Sequence, residues 1–275
     1  DPKHWNFSCY SNTDPTYPWY NYQITGNECQ PEFIDVAKFN TIVKGMTPEG
    51  IDNLLEYDTI NIPTTSETIV DNAFNGLFNR DLIKDQYHFW EVVLNDGLEK
   101  IGDKAFYQCS GLQQKQFYLP KTLKTIGNEA FAECTDLRGR LVLPHNLKSI
   151  GNNAFLGCTG FSGLLELHGN MSIGDGAFAA TSFSNIIFDD DKPLELGSKI
   201  FALTNTIKTI DLTACQLDRV KQWKFQPDSL FIDTPSTEED ELVVYVNDAT
   251  PIESWKDLLH NQMGLPQQWE IKTPE

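Results

Sequence analysis

The sequence predicts an α/β-type repeat solenoid, in which similar turns of chain stack so that each adds a short strand to a parallel β-sheet. Three observations predict it. A hexapeptide that begins with Ile-Gly and ends with Ala-Phe recurs along the middle of the chain. A short apolar run precedes each copy, and successive copies are separated by nearly the same number of residues. Self-similarity at a fixed period of this length is typical of solenoid architectures.

The copies of the hexapeptide define the coils. Four clear copies and two weaker ones begin at Ile69, Ile101, Ile126, Ile150, Ile173 and Leu196. From Ile101 onward, the successive starts are 25, 24, 23 and 23 residues apart. The first gap is 32 residues, which predicts an insertion near residues 79–90. We therefore expect about six coils over residues 56–212.

Each hexapeptide is preceded by a strand pattern. The first and third residues are apolar in each of the runs INIP, VVLN, FYLP, LVLP, LELH and IIFD. This alternation predicts a strand with one buried face. Three of the runs end in proline, which ends a strand because it cannot donate a ladder hydrogen bond. The sequence thus predicts one sheet strand in each coil.

The residues between and just before the buried strand positions should point outward, because side chains alternate across a strand. Over the stacked coils they form a candidate partner-binding face of Val93, Gln116, Tyr118, Arg140, Val142, Leu164, Glu166 and Ile187. Contiguous exposed apolar surface often marks an interaction site. Two alternatives remain open: strand propensity alone favours such residues, or another part of the chain covers them.

The remaining motif residues are predicted to build the coil. Glycine at one fixed place, as in Gly127 and Gly151, predicts a turn in which a side chain would clash or φ is positive. Since one unit cannot bury its own apolar face, stacking should place Phe106, Phe131, Phe155 and Phe178 in one buried column. Three residues after the phenylalanine, small apolar core positions are expected at Cys109, Cys134 and Cys158.

The pattern LxLPxxLxxIGxxAFxxCxxL is similar to the BspA-like subclass of leucine-rich repeats, which occurs in surface and secreted proteins of bacteria and some protists. Residues 117–137 and 141–161 match it almost position for position. The resemblance covers about residues 60–212 and implies a right-handed leucine-rich-repeat coil. Departures begin at Ile186, where three aspartates at 189–191 replace the proline turn. The motif residues of this family are structural, so the resemblance indicates architecture, not activity.

Both ends lack the repeat and are expected to cap the stack, which otherwise exposes an apolar layer. Residues 1–55 form the N-terminal capping segment, and residues 213–275 form a degenerate last coil and a C-terminal cap. The pattern at 242–246 predicts a strand, and a proline near the start of 250–259 fits a short helix. This strand-plus-helix element resembles the closing element of the family. Buried positions over the last coil are expected at Trp255, Leu258 and Leu259.

The N-terminal segment carries two further candidates. Cys9 and Cys29 flank an aromatic, turn-rich stretch and are a candidate disulfide, although pairing cannot be deduced from sequence alone. The aromatic cluster of Trp19, Tyr20 and Tyr22 is either local core or a surface for carbohydrate.

The charge of the chain excludes some partners. There are 21 basic and 39 acidic residues, which give a net charge of −18. Nucleic-acid binding is not expected, because it depends on cations that neutralise phosphates. No window of eighteen apolar residues occurs, so we expect no membrane insertion. We expect an extracellular or cell-surface location, with a signal or lipoprotein leader removed.

No catalytic, cofactor or metal site is predicted. The five histidines lie in unrelated contexts, and no C-x-x-C pair occurs. His145 and His168 occupy nearly equivalent positions in neighbouring coils, where they can stack; they are predicted to be two exposed turn residues, with a metal-binding pair as the alternative. The aspartates at 189–191 are either a calcium site or a solvated turn. We therefore expect a non-enzymatic protein whose sheet face binds a host or extracellular protein. The alternatives are a spacer without a dedicated ligand and a carbohydrate-binding accessory module.

Overall fold

The computed structural model describes residues 59–62, 66–76, 79, 91–114, 117–190, 192–225 and 242–274. Several predictions therefore fall outside the described residues. They concern the capping segment 1–55 with Cys9, Cys29 and the Trp19 cluster, all but one residue of the insertion at 79–90, Gln116 and Asp191.

The described chain forms short strands and little helix. In chain order the elements are β1 (Thr59–Asn61), β2 (Thr68–Ile69), β3 (Glu91–Val93), β4 (Lys100–Ile101), β5 (Thr125–Ile126), β6 (Ser149–Ile150), β7 (Ser162–Leu167), β8 (Met171–Ile173), β9 (Ser182–Phe188), β10 (Leu194–Leu196), β11 (Thr209–Leu212), α1 (Leu217–Val220), β12 (Lys224–Phe225), β13 (Val243–Val246), α2 (Ile252–Lys256), a π-helix (Asp257–Gln262) and β14 (Glu270–Lys272). All the strand pairings are parallel. The predicted solenoid of about six turns is confirmed, and helix within the described residues is confined to its C-terminal part.

The first sheet follows the predicted apolar runs. Five strands pair in the order β14-β13-β11-β9-β7, and β1 pairs with β3. Between these groups, the runs at 117–119 and 141–143 are joined by a single bridge between Tyr118 and Val142. From Val92 onward, the first and third residues of each described run are buried, and the residue between them is at least partly exposed. The predicted alternation is therefore correct.

The second sheet has seven strands in the order β12-β10-β8-β6-β5-β4-β2. Most of its strands contain only two or three residues and end on the first residue of a hexapeptide. The register is regular, since Ile101 pairs with Ile126 and Ile126 with Ile150. Apolar alternation does not predict this sheet, because a strand of two residues is too short to show a period.

A column of phenylalanine rings fills the space between the sheets. The ring centroids of successive pairs lie 4.8, 5.1, 5.4, 5.5 and 6.1 Å apart along Phe74, Phe106, Phe131, Phe155, Phe178 and Phe201. A second row of rings packs edge-on against this column at Phe117, Phe161 and Phe183. Stacked and edge-to-face geometries are those that aromatic rings prefer. The predicted stacked core is confirmed.

The cysteines of the repeat are buried and not disulfide-bonded. Each thiol donates a hydrogen bond to the carbonyl of the phenylalanine one coil earlier; for Cys134 the acceptor is Phe106, at 2.9 Å. In a later coil Thr204 takes the same place and donates to the Phe178 carbonyl at 3.2 Å. The position is thus a core position as predicted. Its side chain adds a second hydrogen bond to a carbonyl that already accepts a backbone N–H of its own coil, as the Phe106 carbonyl does from Cys109.

The glycine of the hexapeptide allows neighbouring coils to approach closely. A Cβ atom on Gly127 would lie 2.5 Å from Oδ1 of Asp103 and 2.6 Å from its backbone nitrogen. The φ angle of this glycine is not in the left-handed region. Of the two predicted reasons for glycine, the steric one is therefore correct. The first copy has Val70 at this place, and its strand β2 lies at the end of the second sheet.

The Asp or Asn after the glycine links each coil to the next. Oδ1 of each member accepts a hydrogen bond from the backbone N–H of the equivalent residue one coil later, over 2.7–2.9 Å; the last of these donors is Ser198. We call this series the Asx ladder; it comprises Asp71, Asp103, Asn128, Asn152 and Asp175. It runs along the carboxyl ends of the strands of the second sheet.

The C-terminal cap contains the predicted strand and helix. β13 covers four of the five residues predicted, and α2 continues directly into the π-helix. Trp255, Leu258 and Leu259 are buried in the core, as expected for residues that close the stack. β14 was not predicted; it adds one more parallel strand beside β13.

Candidate partner-binding surface

The outward side chains of the first sheet form a surface that we call the strand face: Val93, Tyr118, Arg140, Val142, Leu164, Glu166 and Ile187. Tyr118 is 61% exposed, Val142 46% and Val93 36%. Within the described residues, large hydrophobic side chains are this exposed at only one other position, Leu203. Such side chains therefore concentrate on one face.

Strand register aligns these side chains in two columns. In one column Tyr118 lies beside Val142, and further along Glu166 pairs with Ile187. Leu164 belongs to the other column, where it pairs with Asn185 and is half-buried. The apolar column is thus interrupted by Glu166, and the exposed apolar part is centred on Tyr118.

An ion pair crosses the two columns. Arg140 and Glu166 approach to 2.7 Å, and each side chain is about half exposed, at 45%. A pair in this setting contributes about 0–1 kcal/mol to stability, because water screens it and the long side chains lose freedom. Its main effect is to set a polar boundary at one side of the exposed Val93–Tyr118–Val142 group.

The strand ends beside this face bring two histidines together. The rings of His145 and His168 lie 5.0 Å apart in an edge-to-face arrangement, so the two side chains are in contact. The prediction of two exposed turn residues is wrong for His168, which is buried. On the next coil, Asp190 accepts hydrogen bonds from the Gly169 N–H at 2.9 Å and from the Lys192 side chain at 2.6 Å. Among the described residues, no group of three or more His, Cys, Asp or Glu side chains is placed to hold a metal ion.

The second sheet presents a different surface. A shallow groove of about 670 Å³ runs along it from Lys100 to Phe225. Its floor includes a row of hydroxyl groups at Thr125, Ser149 and Ser172, which pair across β5, β6 and β8. An ion pair of Lys224 with Glu195 lies at one end. This groove has both polar and apolar lining residues, and it was not predicted because the strands that carry it were not.

The repeat pattern identifies the family of the chain. Residues 51–159, 84–208 and 161–234 match the model described as BspA type leucine rich repeat region, in six copies. The matched segments together cover residues 51–234, which is more than half of the chain. The chain belongs to the BspA-type leucine-rich-repeat family. The resemblance inferred from the hexapeptide is thereby confirmed.

Three solved structures of leucine-rich-repeat proteins are similar to the chain. A leucine rich repeat protein of T. pallidum has 19% identity and a TM-score of 0.43, with 56% of this chain and 68% of that one covered. A leucine rich cell surface protein of Faecalibacterium prausnitzii has 20% identity and a TM-score of 0.40, with 56% and 47% covered. A protein of Bacteroides ovatus has 19% identity and a TM-score of 0.35, with 80% and 62% covered. No curated protein matches the chain.

The part of the chain described by the structure was also searched for membrane spans. None of its helices combines the length and the apolar character needed to cross a bilayer.

Proposed function

We propose that this protein is a secreted or cell-surface module that binds another protein through the strand face. The observation that carries the proposal is the grouping of Val93, Tyr118 and Val142. These side chains are exposed on adjacent coils, whereas the other large apolar side chains among the described repeat residues are buried or half-buried, with Leu203 as the exception. Solvent-exposed apolar side chains that are contiguous often mark a partner site.

The chemistry of the face indicates the kind of partner. Tyrosine is enriched among residues that dominate binding energy, because a large ring is fixed at a low entropic cost. Arg140 and Glu166 would form the polar rim beside Tyr118. The net charge of −18 favours association with a basic protein and disfavours an acidic one. We infer a basic extracellular or host protein with an apolar patch.

The family supports the rest of the proposal. BspA-type repeats suggest a protein-interaction or adhesion role, and the resemblance implies surface or secreted proteins. We propose that the chain has no enzymatic activity, since its repeated motif residues hold the coil together. A carbohydrate-binding accessory role and a spacer role are the alternatives that the test must separate.

The test compares two double variants in an affinity pull-down from host or extracellular extracts. Tyr118→Ala with Val142→Asp alters the strand face, and Thr125→Ala with Ser149→Asp alters the groove of the second sheet as the matched control. We expect a basic protein that the unchanged chain and the control retain and that the strand-face variant loses. The thermal midpoint of the strand-face variant should stay close to that of the unchanged chain, because both side chains are exposed.

Three outcomes would contradict the proposal. A partner retained by the strand-face variant and lost by the control would move the site to the groove. Specific binding on a glycan array, with no protein captured, would favour the carbohydrate role. A monomer that captures neither would favour the spacer.

A further inference from the structure

Three adjoining coils bring four titratable side chains together where the strands of the first sheet end. His168 follows β7, and Asp189 follows β9; these strands pair through Leu167 and Phe188. The Asp189 N–H also donates to the Leu167 carbonyl at 3.0 Å. On the other side of His168 lies the ring of His145, at 5.0 Å. His168 thus lies between His145 on the coil before and Asp189 and Asp190 on the coil after.

His168 occupies a place that proline takes in the two preceding coils, at Pro120 and Pro144. It is only 6% exposed. Its Nε2 atom is buried and has no hydrogen-bond partner in the described structure. A neutral imidazole tolerates this setting better than an imidazolium, because a buried charge without a partner is far more costly than a buried neutral group.

Burial, followed by the neighbouring His145, lowers the pKa of His168 below its usual value. Asp189, Asp190 and a hydrogen bond with the Pro144 backbone act in the opposite direction but do not reverse the shift. The two aspartates compensate poorly for the burial of a charge on His168, each for a different reason. Burial and the neighbouring Asp190 raise the pKa of Asp189, while the two histidines oppose this. Burial raises the pKa of Asp190 too, but hydrogen bonds from Lys192 and Gly169 outweigh burial and lower it.

We propose that the contact of buried His168 with His145 makes this part of the solenoid acid-sensitive: when His168 takes up a proton, its side chain leaves the buried position and the adjoining strand ends loosen. The proposal does not depend on whether the strand face binds a partner. It concerns the coil that carries β7 and β8, and its trigger is mild acid.

The direction of the pH effect follows from linkage. The fold holds His168 neutral, whereas in the unfolded chain it titrates near about 6.5. This contribution to stability is therefore complete above about pH 6.5 and is lost as the pH falls toward the lower pKa of the folded state. One proton taken up on unfolding changes the folding equilibrium constant by up to about tenfold per pH unit. Asp189 has the opposite effect on stability. Because the fold raises its pKa, this carboxyl loses its contribution to stability as the pH rises above its usual pKa of 3.8.

The experiment is urea unfolding of the full chain at a series of pH values from about 5 to 8. The variants are His168→Gln, His145→Gln and, as a histidine control in the C-terminal π-helix, His260→Gln. We expect the midpoint of the unchanged chain and of the control to fall as the pH drops below about 6.5. The His168→Gln midpoint should stay flat over that window, and His145→Gln should fall less than the unchanged chain. Parallel profiles for the unchanged chain and His168→Gln would overturn the proposal.

Two measurements on the unchanged chain keep the test valid if His168→Gln does not fold. In an NMR titration of the imidazole C–H signals, His168 should titrate below its usual value, and an apparent pKa at or above about 6.5 would refute the idea. Hydrogen exchange, corrected for the intrinsic pH dependence, should show lower protection of residues 162–173 in mild acid than at neutral pH, with residues 117–137 unchanged. Equal loss in both segments would contradict a local effect.

Discussion

The side chains that follow the strands of the second sheet bond to the next coil, whereas the outward side chains of the first sheet largely face solvent. At the strand ends of the second sheet the Asx ladder connects six successive coils, and the glycines that precede all but its first member allow the backbones to approach closely. In the first sheet the corresponding surface carries Val93, Tyr118 and Val142, with a single ion pair beside them. One side of the coil therefore fixes the stacking, and the other is available for binding.

This difference explains why the hexapeptide is regular while the outward strand positions vary. A residue of the ladder must accept a hydrogen bond from the coil that follows, so the choice is limited to short side chains with an oxygen atom. The outward residues of the strand face meet no such demand; elsewhere in the first sheet the Asn185 side chain donates to the Thr209 hydroxyl of the next coil at 2.5 Å. Tyr, Val, Glu and Ile can follow one another at Tyr118, Val142, Glu166 and Ile187 without disturbing the stack. Variation there can change the partner at little cost to folding.

The largest expected effect comes from closing the space at the glycine. Gly127→Val would place side-chain atoms against the backbone of Asp103, where even a Cβ lies within 2.6 Å. We expect a loss of at least about 3 kcal/mol in the free energy of unfolding, at the upper end of overpacking costs. Urea denaturation followed by circular dichroism measures it. Val70→Ala, at the equivalent place of the first copy, should cost about 1 kcal/mol or less; a similar loss at both sites would show that close approach is not the cause.

An intermediate effect is expected for a single member of the Asx ladder. Asn152→Ala removes the acceptor for the Asp175 N–H, a bond of 2.9 Å. The free energy of unfolding should fall by about 0.5–1.5 kcal/mol, the usual net value of one hydrogen bond. Asn152→Asp keeps the acceptor oxygen and is the matched control. If both variants unfold at the same urea concentration, the ladder does not stabilise the stack.

Much of the first sheet could be predicted from the sequence, because its strands are long enough to show alternation and the hexapeptide fixes their spacing. The phenylalanine column followed from the same spacing. The Asx ladder was missed although its signal is present: an Asp or Asn follows the hexapeptide's second residue at Asp71, Asp103, Asn128, Asn152 and Asp175. An acidic or amide residue after glycine resembles a solvated turn until the coils are aligned and the equivalent backbone N–H is considered.

Two other features depend on contacts between coils that no local pattern reveals. The hydrogen bond from Cys134 to the Phe106 carbonyl spans 28 residues, and cysteine alone indicates only a small buried side chain. The burial of His168 was also missed, since histidine after a strand is typical of an exposed turn. Its replacement of a proline found in the two coils before it was the available signal. The outward positions of the strand face needed only the alternation rule, and whether they bind a partner remains a prediction.

The smallest expected effect is the coupling within the ion pair of the first sheet. A double-mutant cycle with Arg140→Gln and Glu166→Gln isolates it, because both side chains are about half exposed and the two residues contact each other at 2.7 Å. We expect a coupling free energy of about 0.2–1 kcal/mol, and less at high salt, since water and ions screen exposed charges. Urea denaturation at low and high ionic strength provides the measurement. A coupling well above that of one ladder hydrogen bond, or one that does not respond to salt, would mean that the first sheet also holds the coils together through its outward side chains. The strand face would then be less free to vary than the second sheet, and the division between a stacking side and a binding side would fail.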